Sequence, residues 1–440
     1  MPEFPKPIAP RRLRVGFLSP CDSGDPEALS GMPFRMRETL ESHGLEMMRL
    51  DGRDGARREA THFDSLRRRA PESVKQGWRF SRQRVSRFVE WLRSRGHEQK
   101  QLRLARLRAA ALSRKIREAA PDVLFGCCIS TMLFELETDV PIVYFSDATA
   151  RLINETYPRY RSRSPGYKRR CDAYEREAMS RAFAGVFATR VARDSAVGDY
   201  GLPAARAHLA PMGAHITPDD LRRPGSTLRP APPTRDHLQL CIIASDARRK
   251  RVGLAVEVTD RLAASGWNAT LTHIGQPCAE VRRSGRVRSL GPLRLSVVEE
   301  RRKMAAALAH SHFLLLPSVG EAYGIAPCEA AHFGRPSIVS DAGGLAEVVQ
   351  HGRTGLVLPV QAQAQRYAEA IMRLAEDTAA YRRMSHAALA RAKTVLNWEA
   401  WALQVVPLIH EAAGRGRPLF TRRAEERETE SDAHVLQSVT

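Results

Sequence analysis

The chain lacks several features that mark common classes of protein. Its 440 residues contain no apolar run approaching the roughly 18 residues that cross a bilayer. The N-terminal stretch MPEFPKPIAPRRLRVGF lacks the uninterrupted apolar core of a secretion signal. The seven cysteines show no CxxC spacing, so they indicate reduced, buried thiols rather than a disulfide framework. We therefore expect a cytoplasmic protein, and the length predicts two domains of ordinary size.

Several catalytic motifs are missing as well. The 14 histidines include no HExxH pair, the pattern of many zinc proteases. No GxSxG sequence occurs, so the nucleophile turn of serine hydrolases is absent. The GxxxxGK[ST] loop of P-loop nucleotide-binding proteins is absent too. The sequence thus predicts neither a catalytic metal nor a bound cofactor.

The net charge of +20 is concentrated in one stretch of the chain. Residues 57–117 hold 19 Lys and Arg against 5 Asp and Glu, a local balance of +14. Apolar residues at helical spacing, such as Phe80, Val85 and Phe88, predict amphipathic helices there. Three interpretations stay open: a solvated helix face, a surface for anionic lipid or an acidic acceptor, and a nucleic-acid site.

Strand and helix patterns alternate along most of the chain. In the first half the apolar runs RLRVGFLSP, DVLFGC, PIVYFSD and GVFAT are each followed by a plausible helix. The runs LQLCIIASD, ATLTHIG, FLLLPS, PSIVSD and GLVLP begin a second series. This alternation is typical of parallel sheets with right-handed crossovers. We predict an α/β protein made of two Rossmann-like parallel-sheet domains that face a central cleft.

A stretch rich in proline and charge, TPDDLRRPGSTLRPAPPTRDH, separates the two series. We predict an N-terminal domain at residues 1–216, a linker at 217–237 and a C-terminal domain at 238–413. The last helix, which begins near Trp398, is assigned to the C-terminal domain. The polar residues 414–440 are predicted to be disordered.

The stretch LLLPSVGEAYGIAPCEAAHFGRP, residues 314–336, places two glutamates eight residues apart after a buried strand. Cys328, Glu329 and His332 share one stripe of the predicted helix, so Glu329 faces the protein interior. Glu321 lies near the helix start, where a carboxylate stabilises the helix dipole. One interpretation is a capping glutamate and a structurally bonded core glutamate. The other is a pair of ligand contacts at most ~12 Å apart, which suits the two ends of a nucleotide-sugar.

Two further loops have the composition of anion sites. The loop in ASDARRKRVGLAVEV contains four consecutive basic residues, Arg248 to Arg251, between a strand end and a helix start. Fixed positive charge there suits a diphosphate, although a solvated basic loop is the other interpretation. The loop in LSGMPFRMRETLESHG contains Gly31, which is either a plain turn glycine or a place where a phosphate or sugar comes close.

These motifs resemble those of the retaining glycosyltransferases of the GT4 group, also called glycosyl transferases group 1, which have the GT-B fold. The segment Glu321–Glu329 resembles their E-x7-E motif, and residues 317–359 match their strand–loop–helix pattern throughout. ARRKR is similar to the RKG turn of the group, while SGMPF and VYFSDAT resemble SGTPY and VYWTDAT of one subgroup. The resemblance covers roughly residues 13–412.

The resemblance implies roles for particular residues. Glu321 would lie by the donor sugar, and Glu329 would bind the ribose of the nucleotide. Arg249 and Lys250 would bind the donor diphosphate. The further donor contacts are Gly31, Ser318, Tyr323, Gly324, Ile325, Gly343 and Gly344.

The sequence departs from the family pattern at three places. Arg251 stands where the family turn has glycine, so the backbone geometry of that loop is open. The strand-end arginine of many members falls on Ser245, for which Arg249 is a candidate substitute. Many members have a histidine where this chain has Ser146, followed by Asp147, and Asp147 is a candidate acceptor-side residue.

The resemblance implies transfer of a sugar from a nucleoside diphosphate sugar to a glycan, lipid-linked or small-molecule acceptor, with retention at the anomeric carbon. No strict Asp-x-Asp occurs, so the metal ligands of a GT-A enzyme are missing and a metal-independent reaction is expected. Residues 1–216 would contact the acceptor, and residues 238–413 the donor. Association with the inner face of an anionic membrane is a further expectation, whereas nucleic acid is not an expected partner. The alternatives are a sugar-nucleotide epimerase of GT-B type and a non-catalytic protein that binds nucleic acid or anionic surfaces.

Overall fold

The computed structural model describes residues 12–50, 105–221 and 231–414. Most of the basic segment 57–117 lies outside these ranges, so the predictions made for its surface concern residues that are not described. The same holds for the predicted tail beyond Gly414. Of the basic segment, only its last thirteen residues are described, and they are helical.

The N-terminal half forms one sheet of six strands. These are β1 (Arg14–Leu18), β2 (Glu46–Arg49), β3 (Val123–Cys127), β4 (Ile142–Ser146), β5 (Ala182–Phe187) and β6 (Ala207–Leu209). All pairs are parallel, in the order β2-β1-β3-β4-β5-β6. Every residue of β3 and β4 is buried, which is typical of parallel strands covered on both faces.

Helices connect these strands, and three of them begin at polar caps. They are α1 (Met32–Ser42), α2 (residues 105–119), α3 (Ser130–Leu133), α4 (Ala150–Thr156), α5 (Pro158–Arg161), α6 (Pro165–Arg181) and α7 (Arg190–Tyr200). The side chains of Thr149, Ser164 and Thr189 accept hydrogen bonds from the first turns of α4, α6 and α7. Each cap satisfies a backbone N–H that has no partner within its helix, and thereby sets the helix start.

The C-terminal half repeats this architecture. Its strands are β7 (Leu238–Ala244), β8 (Ala269–Gly275), β9 (Val287–Ser289), β10 (Phe313–Leu316), β11 (Ser337–Ser340) and β12 (Gly355–Leu358). They pair in parallel in the order β12-β11-β10-β7-β8-β9. The predicted α/β fold with two Rossmann-like parallel sheets is therefore confirmed.

Eight helices of the described chain follow β7 and the later strands. They are α8 (Val252–Ala264), α9 (Ala279–Arg283), α10 (Val298–His310), α11 (Ile325–His332), α12 (Leu345–Val348), α13 (Ala364–Glu376), α14 (Thr378–Thr394) and α15 (Trp398–Gly414). Helices α8 and α13 contact each other and bury Leu262, Tyr367 and Ile371 in the core of this half. Within the described ranges, no helix combines the length and apolar content that crossing a membrane requires.

The terminal helix α15 packs on the N-terminal sheet. Its Trp401 is fully buried, with ring centroids 5.9 Å from Phe125 on β3 and 6.1 Å from Phe145 on β4. We predicted this helix as part of the C-terminal domain, whereas in the structure it contacts the N-terminal sheet. Apolar periodicity in the helix predicts a buried face, but it does not say which of two similar sheets covers that face.

The two halves share a continuous apolar cluster, which includes Met212, Leu316, Tyr323 and Trp401. The chain passes from one half to the other through a segment that begins with a short 3-10 helix, Pro218–Asp220. This arrangement brings the carboxyl ends of both sheets to one cleft, the place where open parallel sheets bind ligands.

Candidate active site

A cavity of about 700 Å³ lies between the two halves. Asp147 lines it directly after the carboxyl end of β4, and Ser245 lines it directly after β7. Glu321 enters it from the loop after β10. Because three strand ends from two sheets meet there, residues far apart in the sequence can contact one ligand.

Glu321 is held by cations from the loop after β7. Its Oε1 lies 2.7 Å from Nη1 of Arg249 and 3.6 Å from Nζ of Lys250. The hydroxyl of Ser318 donates to the same oxygen at 3.0 Å. Burial raises the pKa of Glu321, but the charges of Lys250 and Arg249 outweigh burial, and the net shift is downward. The carboxylate is therefore ionised in the cavity at neutral pH.

Backbone carbonyls fix the two cations. Nη1 of Arg249 donates to the carbonyl of Gly320 at 2.7 Å, and Nζ of Lys250 donates to the carbonyl of Ile243 at 3.2 Å. The guanidinium of Arg249 also lies over the ring of Tyr157, 5.2 Å from its centroid. Both cations line the cavity, so their positions are set before any anion binds.

Arg251 stands where the family turn has glycine, and its backbone shows the conformation of that loop. It adopts φ +50°, the left-handed region that glycine occupies readily and other residues rarely do. Its guanidinium donates to the carbonyls of Val360 and Ala362 at 2.7 and 3.4 Å. The turn thus keeps a glycine-like backbone, while the Arg251 side chain is directed away from the cavity lining.

Glu329 lies on α11 and lines the same cavity, with 3% of its surface exposed. Burial raises its pKa to about 8, although Lys250 and the backbone amides of Ile216 and His215 act in the opposite direction. Glu329 lies on the face of α11 that was predicted to point inward, and that face places it in a polar recess and not in apolar surroundings. A group that can donate or accept near neutral pH suits a sugar diol.

The glycines of the predicted donor site have different surroundings. Gly324, at φ +118°, lines the cavity. A Cβ on Gly343 would overlap the carbonyl oxygen of Glu321, and one on Gly344 would overlap that of Ala322. These two glycines therefore let a neighbouring loop pack against the Glu321 loop, and they border a small recess that also includes Asp147.

Gly31 precedes α1 in a left-handed conformation, at φ +81°. A Cβ there would come within 2.9 Å of the Pro26 carbonyl and 3.1 Å of Leu295. It lines a second cavity of about 250 Å³, together with His215 and Arg35. Its close contacts in the structure are thus with the protein at the junction of the two halves.

The remaining predicted donor contacts fall into two groups. Ile325 and Tyr323 line the main cavity, and the Tyr323 hydroxyl donates to the Met212 carbonyl at 2.8 Å. Ser318 is fully buried and contacts Glu321, not the cavity.

Asp147 faces Glu321 from the N-terminal side. Burial raises the pKa of Asp147 to about 6, and the negative charge of Glu321 adds to this shift. The Sγ of Cys128 lies 3.8 Å from its Oδ1. The structure therefore brings this candidate acceptor-side residue into the same cavity as both glutamates.

Several lining residues were not identified from the sequence. Glu175 is 3% exposed, accepts a hydrogen bond from the Tyr144 hydroxyl at 2.9 Å, and has its pKa raised to about 7, mainly by burial. The Tyr157 hydroxyl accepts a hydrogen bond from the amide of Ala322 at 3.0 Å. The helical spacing of Cys171, Tyr174 and Glu175 in one predicted helix was the available signal. Five tyrosines of the N-terminal half line the cavity: Tyr144, Tyr157, Tyr160, Tyr167 and Tyr174.

His215 is a further unpredicted residue. It is 3% exposed, lines both cavities, and stacks on Trp398 with ring centroids 5.6 Å apart. Neither ring nitrogen has a hydrogen-bond partner among the described residues. Burial lowers its pKa to about 3, and the nearby Arg35 contributes to the shift, so the ring is neutral at physiological pH.

Residues 238–377 match the family model described as glycosyl transferases group 1. Over these residues the chain is similar to this family. The match covers the C-terminal half, where Glu321, Glu329, Arg249 and Lys250 are located. Among curated relatives, a D-inositol 3-phosphate glycosyltransferase of a Nocardioides species is 30% identical over 110 residues, which are 25% of this chain and 24% of the relative. A glycogen synthase of Mycobacterium tuberculosis is 32% identical over 114 residues, 26% of this chain and 27% of the relative.

Solved structures with the same architecture are similar to this chain over both of its halves. Sucrose-phosphate synthase from Thermosynechococcus elongatus superposes with a TM-score of 0.59 at 17% identity, covering 91% of this chain and 99% of the other. Anabaena HepE in complex with UDP-glucose superposes with a TM-score of 0.56 at 16% identity, covering 91% of this chain and 100% of the other. This similarity identifies the overall fold as GT-B. The curated relatives, by contrast, are matched over about a quarter of their length.

Proposed function

We propose that this protein is a retaining glycosyltransferase of group 1 that uses a nucleoside diphosphate sugar as donor. One observation carries the proposal: the cavity between the two sheets holds Arg249 and Lys250 beside Glu321, with Glu329 in the same space. Two fixed cations suit a diphosphate, and two carboxylates beside them suit the sugar and the ribose.

The donor would lie along the C-terminal wall of the cavity. Arg249 and Lys250 would bind the diphosphate and Glu329 the ribose hydroxyls, while Glu321 would lie by the transferred sugar. In this arrangement the anionic diphosphate shares the two cations with Glu321. Leu293, Leu295 and Met304 supply an apolar part of the lining that suits the face of a nucleobase.

The chemical step breaks the bond between the anomeric carbon and the β-phosphate oxygen. A bond to an acceptor hydroxyl then forms on the same face of the sugar, and the departing phosphate oxygen takes the hydroxyl proton. Arg249 and Lys250 stabilise the negative charge that develops on the leaving diphosphate. Since these side chains are already fixed by carbonyl hydrogen bonds, the protein needs little reorganisation during the step.

The acceptor would enter from the N-terminal half, with its hydroxyl near Asp147. A glycan, a lipid-linked sugar or a small molecule is proposed as acceptor, and closure of the two domains about the linker 217–237 would exclude water from the donor.

A metal-independent reaction is proposed because the two cations supply the positive charge. The proposed location is the cytoplasm, with peripheral association to the inner face of an anionic membrane.

The proposal is tested with a panel of UDP-, GDP-, ADP- and dTDP-sugars, beginning with UDP-glucose because a structural neighbour binds it. We expect one nucleotide class to raise the Tm, since a ligand that binds only the folded state stabilises it. Transfer is then followed by NMR, and the new linkage should keep the anomeric configuration of the donor. A protein that no nucleotide stabilises would contradict the proposal.

Two alternatives give different outcomes in the same experiment. A GT-B-type epimerase would convert the donor sugar with no acceptor added. A non-catalytic nucleic-acid or anionic-surface binding protein would show salt-sensitive retention on nucleic acid and no nucleotide-sugar stabilisation. The buried Glu329 in a polar recess favours an enzyme that binds a sugar nucleotide over the non-catalytic alternative.

A further inference from the structure

One stretch beside the cavity is strongly basic. Residues 157–171 contain six Lys and Arg and no Asp or Glu. The stretch runs from the end of α4 through α5 into α6. Tyrosines at 157, 160 and 167 are interleaved with the cations.

Two of these tyrosines place cations beside the cavity. Tyr160 and Tyr167 line the cavity. The guanidinium of Arg159 lies 4.5 Å from the ring centroid of Tyr160, and that of Arg163 lies 5.5 Å from the centroid of Tyr167. Arg169, also exposed, follows Tyr167 on the first turns of α6. We call Arg159, Arg163 and Arg169 the arginine rim.

The arginine rim differs from other arginines near the cavity in its partners. Arg249 pairs with Glu321 at 2.7 Å, and Arg294, between two lining leucines, pairs with Glu300 at 2.6 Å. No Asp or Glu oxygen of the described chain lies within 4.0 Å of the rim guanidiniums. The positive charge of the rim is thus not neutralised by carboxylates of the described protein.

The interior of this half of the cavity has the opposite character. Asp147 and Glu175 line it, together with the hydroxyls and amide of Ser130, Thr131 and Asn154. Such an interior accepts the hydroxyl groups of a sugar but repels a phosphate. A molecule with a sugar at one end and a phosphate at the other would therefore enter with its sugar inward and its phosphate at the rim.

The geometry points to an acceptor that carries a phosphate group, which the arginine rim binds while the acceptor hydroxyl reaches the cavity near Asp147. This inference rests on the proposed function, because it names the class of acceptor for the same site. Arginine is suited to the task, since its planar guanidinium donates two parallel hydrogen bonds to a phosphate.

The test compares the triple variant R159Q/R163Q/R169Q with a matched control, R282Q/R366Q/R382Q. The control also removes three exposed arginines without carboxylate partners in the described structure, but these belong to the C-terminal half and do not line either cavity. Binding of hexose and inositol monophosphates and of their neutral parents is measured by calorimetry in saturating UDP. The nucleotide occupies the diphosphate site, so phosphate binding there does not enter the result.

We expect the wild type and the control to bind at least one phosphorylated sugar roughly tenfold more tightly than its neutral parent, and the rim variant to lose this preference. The preference should also decrease as salt is raised. Vesicles of phosphatidylglycerol and of phosphatidylcholine, compared in parallel, distinguish a lipid-borne phosphate from a soluble sugar phosphate.

Three results would overturn the inference: no phosphate preference in the wild type, an unchanged preference in the rim variant, or tighter binding of glucuronate than of every sugar phosphate. Failure of the proposed function gives a different pattern, namely no UDP binding and no transfer. In that case the same panel without nucleotide still measures whether the rim binds phosphate.

Discussion

Nη1 of Arg249 lies 2.7 Å from Oε1 of Glu321, and the two side chains are only 16% and 8% exposed. They come from loops that follow β7 and β10, two neighbouring strands of the C-terminal sheet. The amide of Val319 also donates to the carbonyl of Arg249 at 2.8 Å, so the loops are joined through their backbones as well. The ion pair is therefore part of a rigid base on which a diphosphate and a sugar can be positioned.

Replacing Glu321 by glutamine should separate catalysis from nucleotide binding. Glu321→Gln keeps the size of the side chain and removes its charge, so we expect kcat for transfer to fall about 10²–10³-fold. The affinity for UDP, measured by calorimetry, should stay the same or increase, because Arg249 and Lys250 no longer share their charge with a carboxylate. Glu376→Gln is the control, since Glu376 forms an exposed ion pair with Arg235 at 2.6 Å outside the cavity. Weaker UDP binding with unchanged kcat would contradict the assigned role.

Glu329→Gln should act mainly on the donor. The raised pKa leaves Glu329 mostly protonated at neutral pH, and glutamine replaces its hydroxyl donor by an amide of different geometry, so a buried polar group is left mispaired at a cost of about 1–3 kcal/mol. We therefore expect the KM for donor to rise roughly 10- to 100-fold with a smaller change in kcat. Steady-state kinetics at fixed acceptor measure both. A variant that loses kcat and keeps its KM would place Glu329 at the reacting sugar and not at the ribose.

The same variant should change the pH dependence of stability. Burial raises the pKa of Glu329 from its ordinary 4.5 to about 8, so the folded protein retains a proton that the unfolded chain releases. The free energy of unfolding of the wild type therefore decreases as the pH rises from 4.5, the ordinary pKa of a glutamate, to about 8, its pKa in the folded protein. Without donor, the Tm of Glu329→Gln relative to wild type should be higher at about pH 9 than at about pH 5. An equal difference at both values would contradict the raised pKa.

Much of this site follows from the sequence because local patterns decide it. The helical stripe that contains Cys328 and Glu329 predicts that Glu329 faces inward, and both residues are buried. The partners of Glu329 were not predictable in the same way. They include Lys250, from a loop almost 80 residues earlier in the same domain, and the amides of His215 and Ile216, which reach α11 only after the two domains have packed together.

The terminal helix and the cavity-lining tyrosines of α4–α6 show the same limit of prediction from the sequence. Trp401 lies on a clear apolar face, but its neighbours Phe125 and Phe145 are more than 250 residues earlier in the chain. The tyrosines of α4–α6 carry no motif, and only the shape of the cavity identifies them as lining residues. Local periodicity specifies which face is buried, whereas the choice of partner is made by tertiary packing.

Adjacent residues Lys250 and Arg251 should have different roles despite their similar charge. Lys250→Ala removes a cavity-lining cation, and we expect the UDP dissociation constant to rise roughly tenfold or more. Arg251→Gly serves as the matched control. The φ of +50° suits glycine, which offsets the loss of the hydrogen bonds to Val360 and Ala362, so stability should change by no more than about 1 kcal/mol. Equal losses of UDP affinity in the two variants would contradict the placement of Lys250 at the diphosphate.

Two glycines with similar backbone angles should respond differently to alanine. Gly343 has φ +58° and Gly352 has φ +73°, so both substitutions place a Cβ in the left-handed region at a cost of about 1–2 kcal/mol. At Gly352 nothing lies within 4 Å of the added atom, whereas at Gly343 it overlaps the carbonyl oxygen of Glu321. We expect Gly352→Ala to lower the Tm modestly and to retain transfer.

Gly343→Ala must move the Glu321 loop to relieve the overlap, and a displacement of about 1 Å in a positioned catalytic group can lower the rate 10²-fold. Its rate of transfer should therefore fall by much more than its loss of stability explains. Kinetics at a temperature well below both Tm values, with the folded fraction checked by circular dichroism, separate the two effects. If both alanine variants retain the same activity, the packing of Gly343 against Glu321 does not control the position of that carboxylate.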